Sequence, residues 1–156
     1  MKALMRMSVA PNDVQLVDIP EPKPKRNEVK IQVKYGGICG SDLKMLNENA
    51  DGSRRIRPPV VLGHEGAGIV VEVGDDVHSI KPGDAVSAET TMYACEKCRY
   101  CMSAEYNMCP DRIGLGSGAN GYFAEYVVAK ARGVHKVSEG ISLKAAALLE
   151  PLSCAV

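Results

Sequence analysis

The sequence lacks an excess of charge of either sign. Nineteen Lys and Arg residues balance 19 Asp and Glu residues along 156 residues, so the formal net charge is zero. A protein without a net positive field does not attract phosphate backbones or anionic lipid surfaces over a long range. We therefore expect neither a nucleic-acid partner nor a membrane-surface partner.

Long hydrophobic runs are missing as well. A transmembrane helix needs about 20 consecutive apolar residues, and Lys, Arg, Asp or Glu interrupts every apolar run before that length. Basic residues occur between Met1 and Met7, but the apolar segment of a secretory signal does not follow them. These absences predict a soluble, cytoplasmic protein, and in that reducing compartment disulfide bonds are disfavoured.

Most of the chain has the pattern of β-strands. A length of 156 residues fits one domain, and a chain of this size buries roughly two-thirds of its unfolded surface. Apolar and polar residues alternate from Val29 to Tyr35, as in a strand with one buried face. Three more β-rich runs follow: Gly68–Gly74, Asp84–Glu89 and Tyr122–Ala129. We therefore predict a mainly β fold.

Helical signals are concentrated near the C-terminal end of the sequence. Ser142 can cap the strong helix-forming stretch Leu143–Leu149. Pro151 disfavours α-helical geometry at Glu150, the residue before it. The sequence therefore predicts a few short helices beside the strands.

Four cysteines lie close together in the second half of the chain: Cys95, Cys98, Cys101 and Cys109. Structural zinc sites are closed, usually take four ligands and bind thiolate sulfur at about 2.3 Å. Four cysteines in one loop can saturate such an ion. The alternatives are disulfide pairs, which need an oxidising compartment, and buried thiols. The spacing predicts a structural zinc lobe over residues 90–112.

Candidate ligands for a second zinc ion are dispersed along the chain: Cys39, His64, Glu65 and Glu150. A catalytic zinc takes about three protein ligands and leaves one position for water or substrate, and a mixture of Cys, His and carboxylate suits that use. Taken one by one these residues are weak signals. A lone cysteine is usually a small apolar residue, and a lone histidine is more often on the surface or hydrogen-bonded. From spacing alone, a catalytic zinc site and a set of unrelated residues both stay open as interpretations.

Five motifs follow one another in the chain: Cys39-Gly40-Ser41-Asp42, Gly63-His64-Glu65-Gly66-Ala67-Gly68, Lys81-Pro82-Gly83-Asp84, Tyr106-Asn107-Met108-Cys109-Pro110 and Glu150-Pro151-Leu152. Together they resemble the zinc-dependent medium-chain dehydrogenase/reductase superfamily over essentially the whole chain. The resemblance is closest to the sorbitol, threonine and butanediol dehydrogenases, in which a Glu-Pro-Leu element replaces a cysteine ligand. It implies a GroES-like, partly open β-barrel with a small structural-zinc lobe and a few short helices.

The resemblance also implies site residues. Those that match the catalytic zinc ligands are Cys39, His64, Glu65 and Glu150. The carboxylate of Glu65 coordinates directly or through water. The cysteine lobe matches the structural zinc site, which gives two zinc ions per chain. Ser41 matches the hydroxyl that binds the substrate oxygen and passes its proton outward, although from its position it could instead cap a helix over 42–47. Asp42 favours the N-terminal dipole of that helix.

The implied parent enzyme oxidises a small-molecule substrate, namely a secondary alcohol, polyol, diol or hydroxy amino acid. Zinc polarises the alcohol, and hydride passes to NAD or NADP. Much of the family has a histidine where this chain has Lys44, so the outer proton path differs. Relatives are often dimers or tetramers, which predicts a homo-oligomeric parent enzyme.

In the family, a Rossmann cofactor domain follows the point where this chain stops. We therefore expect residues 1–156 to be the N-terminal catalytic part of a longer enzyme, inactive by itself. The glycine-rich stretch Gly114–Gly121 does not replace that domain. A dinucleotide fingerprint ends a strand and opens a helix, whereas a strand is predicted to follow this stretch.

A non-catalytic zinc-binding interaction or assembly module is the alternative function. The cysteine-rich loop alone would suit it. The combination of Cys39 with His64, Glu65 and Ser41 favours the enzyme, because an interaction module has no use for an open metal position beside a relay hydroxyl.

Overall fold

A computed structural model describes residues 1–47 and 56–156 of the chain. Within these residues the strands are β1 Lys2–Arg6, β2 Val14–Asp18, β3 Glu28–Gly37, β4 Val60–Val61, β5 Glu65–Val73, β6 Ala85–Ala88, β7 Thr91–Tyr93, β8 Ile113–Gly114, β9 Tyr126–Lys130 and β10 Val134–Lys136. The helices are α1 Gly40–Asn47, α2 Arg99–Met102, α3 Leu143–Ala146 and α4 Leu149–Ser153, with 3₁₀ turns at Tyr106–Met108 and Ala131–Gly133. The prediction of a mainly β fold with a few short helices is confirmed. Among the described helices, none has the length and apolar character required to cross a membrane.

The strands form antiparallel sheets that do not close on themselves. The largest has the strand order β10-β6-β5-β3-β9, a second has the order β2-β1-β4, and β7 pairs with β8. The backbone N–H of Leu4 donates to the Phe123 carbonyl at 2.8 Å, and Ala3 bridges Ala124. These contacts attach the second sheet to the segment that leads into β9. The arrangement is the partly open barrel that the family resemblance implies.

The strand β3 shows why the alternating pattern predicts its first half better than its second. Val29 and Ile31 are fully buried, as predicted, but Tyr35 is exposed. The pairing of β3 with β5 shifts register between Val33 and Tyr35, and a bulge of this kind turns later side chains away from the core. Lys30 was expected on the solvent face and is instead buried. Its ammonium lies 3.2 Å from a carboxylate oxygen of Glu21.

The main core lies on one face of the largest sheet. It includes buried side chains from four of its strands: Val29, Ile31, Val70, Val86 and Val127. Complete burial of a side chain of this size contributes about 1.5–3 kcal/mol. Tyr122 packs into the same core, and its hydroxyl accepts a hydrogen bond from the Ala88 N–H at 3.1 Å. The core therefore fixes β3 and β5, the two strands that lead to the candidate site.

The last helices differ from the sequence prediction in one respect. Ser142 caps α3 through the Ala145 N–H at 3.2 Å, as predicted. The helix ends at Ala146, however, and Glu150 and Pro151 lie in a second helix, α4. The expectation that Pro151 keeps Glu150 out of helical geometry is wrong. Pro151 lies in the first turn of α4, where a backbone N–H has no intrahelical partner and a proline is tolerated.

Candidate metal centre and substrate cleft

The start of α1 positions Cys39. The Asp42 N–H donates to the Cys39 carbonyl at 3.0 Å, and the Cys39 N–H donates to Oδ2 of Asp42 at 2.9 Å. This reciprocal arrangement fixes the first turn of the helix, as in a capping box. Ser41 lies inside α1 and does not cap it. The interpretation of Ser41 as a cap for residues 42–47 is therefore wrong.

The pairing of β3 with β5 brings the distant motifs together. Gly37, at the end of β3, is opposite Glu65, at the start of β5, so the residues just beyond these ends meet at one edge of the sheet. Gly63 precedes His64 with φ of +86°, and a Cβ atom there would lie 2.5 Å from the Phe123 ring. Glycine is therefore required in the turn that presents His64.

Three of the predicted catalytic zinc ligands form a compact cluster. One ligand atom each from Cys39, His64 and Glu65 can be chosen so that all lie within 4.8 Å of one another. Glu65 is buried, and Oγ of Ser41 lies 3.4 Å from Nε2 of His64. A thiolate, an imidazole and a carboxylate are the donor types that zinc accepts, and three of them leave a fourth position open. The residues present therefore fit a zinc ion.

Asp42 is the site residue that sequence reasoning undervalued. Its side chain is buried, and its Oδ1 atom lies 3.5 Å from Nδ1 of His64. The nearby Asp42 carboxylate is the main cause that raises the pKa of His64 to about 9. Asp42 therefore orients the imidazole in addition to favouring the helix dipole. The sequence predicted only its favourable interaction with the helix dipole, and nothing in the sequence signalled the contact with His64.

Glu150 faces the same site but lies outside the compact cluster. Among the described residues, the compact ligand group around Cys39 does not include Glu150. Burial raises the pKa of its carboxyl, His64 opposes that effect, and Glu65 adds to it. The first turn of α4 thus places Glu150 close enough to His64 and Glu65 to interact with them electrostatically.

An open cleft of about 1050 Å³ adjoins the cluster, and its wall includes Ser41, His64 and Glu150. Other lining residues include Thr90 just before β7, Tyr93 at the end of β7 and Arg112 after the last cysteine of the cluster. A cleft of this size is ample for a small molecule. The predicted relay hydroxyl of Ser41 and two predicted catalytic zinc ligands, His64 and Glu150, thus share one solvent-accessible surface.

The four clustered cysteines form the second candidate metal centre. Their sulfur atoms all lie within 4.8 Å of one another. The Cys95 and Cys98 sulfurs lie 4.0 and 3.6 Å from that of Cys101, while a tetrahedral site with bonds of about 2.3 Å has edges of about 3.8 Å. The N–H groups of Lys97 and Cys98 lower the pKa of Cys95 to about 7. Four thiolates this close repel one another without a cation, so the set fits one zinc ion.

The lobe is attached to the main sheet through Glu89. Its carboxylate accepts a hydrogen bond from the Tyr106 hydroxyl at 2.8 Å, and its other oxygen lies 2.9 Å from Nε2 of His135 on β10. The guanidinium of Arg132 stacks over the Tyr106 ring at 4.6 Å. The remaining cysteine, Cys154, is exposed and belongs to neither cluster.

Comparison with known proteins places this geometry in a family. A model of the alcohol dehydrogenase GroES-like domain matches residues 25–139. The chain belongs to the alcohol dehydrogenase GroES-like domain family. The resemblance to zinc-dependent medium-chain dehydrogenases is thereby confirmed.

Individual relatives of the GroES-like domain are dehydrogenases. Sorbitol dehydrogenase from Halalkalibacterium halodurans is 42% identical over 99% of the chain and 44% of its own length. D-arabitol-phosphate dehydrogenase from Enterococcus avium is 40% identical over 100% of the chain and 44% of its own length. A solved protein classed as a zinc-binding dehydrogenase, from Sinorhizobium meliloti 1021 and bound to NADP, matches with a TM-score of 0.83 and 34% identity over 98% of the chain and 43% of its own length. The chain thus spans less than half of the length of these relatives.

Proposed function

We propose that this GroES-like domain is the zinc-binding catalytic part of an NAD(P)-dependent dehydrogenase that oxidises a polyol or a related secondary alcohol. The observation that carries the proposal is the Cys39, His64 and Glu65 cluster, with ligand atoms within 4.8 Å of one another, beside an open cleft. Sorbitol and D-arabitol-phosphate dehydrogenases among the relatives support the polyol class. L-threonine 3-dehydrogenases among the relatives support a hydroxy amino acid as the alternative substrate class.

Each site residue has a distinct task in this proposal. Cys39, His64 and Glu65 hold the catalytic zinc, and Glu150 is the further ligand candidate. Zinc, when bound, supplies Lewis-acid polarisation of the substrate hydroxyl. Ser41 Oγ, 3.4 Å from His64 Nε2, accepts the proton that the hydroxyl loses and passes it toward solvent.

Lys44 is the position where this chain departs from much of the family. It is exposed on the cleft wall, in the helix that carries Ser41. An exposed ammonium group there favours the deprotonated form of a substrate oxygen by its charge. We propose that Lys44 assists proton release through its charge, without forming a relay of its own.

Hydride transfer needs a nucleotide-binding unit. All pairs of named strands in the described residues are antiparallel, whereas a dinucleotide-binding unit is built from parallel strands joined by a helix. The Gly114–Gly121 stretch leads toward β9 and opens no helix, as predicted. We propose that the isolated 156-residue chain does not reduce NAD or NADP. Formation of NADH or NADPH by this chain would contradict this part of the proposal.

The cysteine lobe holds the second zinc ion in the proposal, which gives two per chain. Its cysteines must stay reduced to bind metal as thiolates. We therefore propose a reducing compartment such as the cytoplasm as the place of action. The homo-oligomeric state of the parent enzyme and the lobe bounds of 90–112 stay predictions.

An experiment with Co²⁺ in place of zinc separates the enzyme from the alternative assembly module. An open catalytic site exchanges its solvent ligand for a polyol, whereas a closed structural site does not. We expect added sorbitol to shift the visible absorption of the Co²⁺-loaded chain. The shift should be lost in Cys39→Ser and retained in Cys154→Ser, which changes a cysteine outside both clusters. Absence of any shift with polyols, diols or a hydroxy amino acid such as threonine would favour the assembly module.

A further inference from the structure

The glycine-rich loop, residues 114–121, takes no part in the chemistry proposed above. It packs against the segment that leads to His64. Just after the loop, the Tyr122 N–H donates to the Gly63 carbonyl at 2.9 Å. That carbonyl belongs to the peptide bond between Gly63 and His64, so the hydrogen bond fixes the backbone next to a proposed zinc ligand.

Two glycines let the loop approach the same peptide bond. A Cβ atom at Gly116 would lie 2.6 Å from the Gly63 carbonyl oxygen, and one at Gly121 would collide with that oxygen as well. Both glycines are buried. Gly116 also has a φ of +73°, a conformation that glycine adopts readily. Because the atom in the way belongs to the backbone of a close-packed interior, a side chain at either position must displace the Gly63 carbonyl.

A side chain of the loop holds the same segment. Oδ1 of Asn120 accepts a hydrogen bond from the Val61 N–H at 3.0 Å. Val61 is fully buried, and a buried N–H that loses its partner is costly. The Asn120 amide therefore fixes β4, which ends three residues before His64.

The loop is itself closed and anchored. The Gly116 N–H donates to the Ala119 carbonyl at 2.8 Å, and the Ala119 N–H donates to the Gly114 carbonyl at 3.0 Å. Near its start, the Leu115 N–H donates to the Thr90 carbonyl at 2.8 Å, and the Leu115 side chain is buried in the main core. A loop braced in this way can hold a neighbouring segment in one position, as the supports of a metal site must.

Resting on the proposed function, we infer that Gly116, Asn120 and Gly121 are positioning residues for the catalytic zinc centre. None of the three is among the described residues that line the cleft, so each acts on the centre through the backbone before His64. The two glycines permit the close approach, and the amide adds a hydrogen bond. A glycine-rich stretch that lacks the strand-turn-helix context of a dinucleotide fingerprint thus has a task at the metal centre.

Zinc affinity at the two metal centres tests this inference. Competition with a chromophoric chelator measures both values, and Cys39→Ser identifies the one that belongs to the Cys39 centre. Gly116→Ala should weaken binding at that centre by about tenfold or more and leave the cysteine lobe unchanged. Gly140→Ala is the matched control, because Gly140 also has a positive φ, +85°, but a Cβ atom there meets nothing within 4 Å. It reproduces the backbone strain without the contact and should leave both affinities unchanged.

Asn120 offers a pair of variants without a steric clash. Asn120→Ala removes the acceptor of the Val61 N–H and should weaken zinc binding at the Cys39 centre by about threefold or more. Asn120→Asp keeps an oxygen acceptor and should restore the wild-type affinity. This pair decides the question if Gly116→Ala does not fold.

A general loss of stability is separated from a change in position by a core variant. Val127 is buried in the main core and is opposite Ile31, in the half of β3 away from the pairing of Gly37 with Glu65. Val127→Ala should lower the melting temperature and leave zinc affinity at the Cys39 centre unchanged.

The NMR signals of the histidine rings give a second readout of position. The chain has three histidines, so the signals of His64 in the zinc-loaded protein can be assigned by their loss in His64→Gln. Gly116→Ala should shift the His64 signals and leave those of His78 and His135 in place. Gly140→Ala and Val127→Ala should shift none of them.

Three results would overturn the inference. The first is a folded Gly116→Ala protein with unchanged zinc affinity and unshifted His64 signals. The second is an Asn120→Ala protein that binds zinc as the wild type does, and the third is an equal loss of affinity in Val127→Ala. Failure of the proposed function is distinguishable, because the wild type itself then binds no zinc at the Cys39 centre, while the NMR comparison still reports whether the loop fixes the His64 ring.

Discussion

The Oδ1 atom of Asp42 lies 3.5 Å from the Nδ1 atom of His64. The other oxygen of the same carboxylate accepts a hydrogen bond from the Cys39 N–H at 2.9 Å. One buried side chain therefore connects two proposed zinc ligands that are 25 residues apart in the sequence. Carboxylates that hold a metal-binding histidine in this way fix its ring orientation and raise its basicity.

Asp42→Asn tests this connection. The amide keeps the size of the side chain but removes the charge, so we expect zinc affinity at the Cys39 centre to fall by about 10- to 100-fold. Competition with a chromophoric chelator measures that affinity, and the cysteine lobe should keep its zinc. Asp111→Asn, which removes an exposed carboxylate from the cleft wall, is the control and should have little effect. Unchanged zinc affinity in Asp42→Asn would show that the contact between Asp42 and His64 does not contribute to zinc binding.

The close approach of Gly37 to Glu65 makes a second prediction. A Cβ atom at Gly37 would lie within 2.2 Å of Glu65 Oε2, so Gly37→Ala must displace the carboxylate. We expect destabilisation of about 1–3 kcal/mol and weaker zinc binding at the Cys39 centre. Gly40→Ala is the matched control, because a Cβ there meets nothing within 4 Å. If both variants retain wild-type affinity and melting temperature, Glu65 is not held where the structure has it.

The cysteine lobe is expected to depend on its metal. Cys109→Ser removes a buried member of the four-thiol cluster, so the zinc content should fall by about one ion per chain. Trypsin should then cleave faster after Lys97 and Arg99, which lie within the lobe. Cys154→Ser should change neither measurement, because Cys154 is exposed and outside both clusters. Protection from trypsin in metal-free Cys109→Ser would contradict a structural role for zinc.

The Lys81-Pro82-Gly83-Asp84 turn provides a prediction on pH. Lys136, followed by the Lys81 N–H, lowers the pKa of Asp84 below its ordinary value of 3.8. A carboxyl with a lowered folded-state pKa stabilises the protein above its unfolded pKa, and this contribution is lost as the pH falls through the folded value. The melting temperature of the wild type should therefore exceed that of Asp84→Asn at pH 7. The difference between the two melting temperatures should narrow below about pH 4.

Asp75→Asn, which alters an exposed carboxyl in a nearby turn, is the control for the pH series. Loss of zinc at low pH affects wild type and variants alike, so the comparison uses the difference between melting curves. A gap between wild type and Asp84→Asn that stays constant from pH 7 to pH 3 would contradict the proposed role of the Lys136 contact.

Local signals in the sequence predicted the parts of the structure that depend on local chemistry. Ser142 caps a helix because its side chain reaches an N–H three residues away. The four cysteines meet because their spacing lets one loop bring them together. The first half of β3 follows its alternating pattern, with Val29 and Ile31 buried. In each case the deciding contacts lie within one segment.

The remaining features depend on contacts between distant segments. Lys30 is buried because Glu21 and Glu72 neutralise it from other parts of the fold. Asp42 meets His64 only because β3 pairs with β5. The Arg57 N–H meets the Ser117 carbonyl in the loop after Gly114, a contact between distant segments that no periodicity predicts. Cys39, His64 and Glu65 were identified through the family resemblance, and spacing alone left them undecided.

The most direct test is the zinc content of the chain, measured by elemental analysis after purification without chelator. Two compact ligand sets are present, one at Cys39 and one in the cysteine lobe, so the proposal predicts about two zinc ions per chain. Cys39→Ser should lower the content by about one. A wild-type content of about one, unchanged in Cys39→Ser, would contradict a catalytic zinc centre at Cys39, His64 and Glu65.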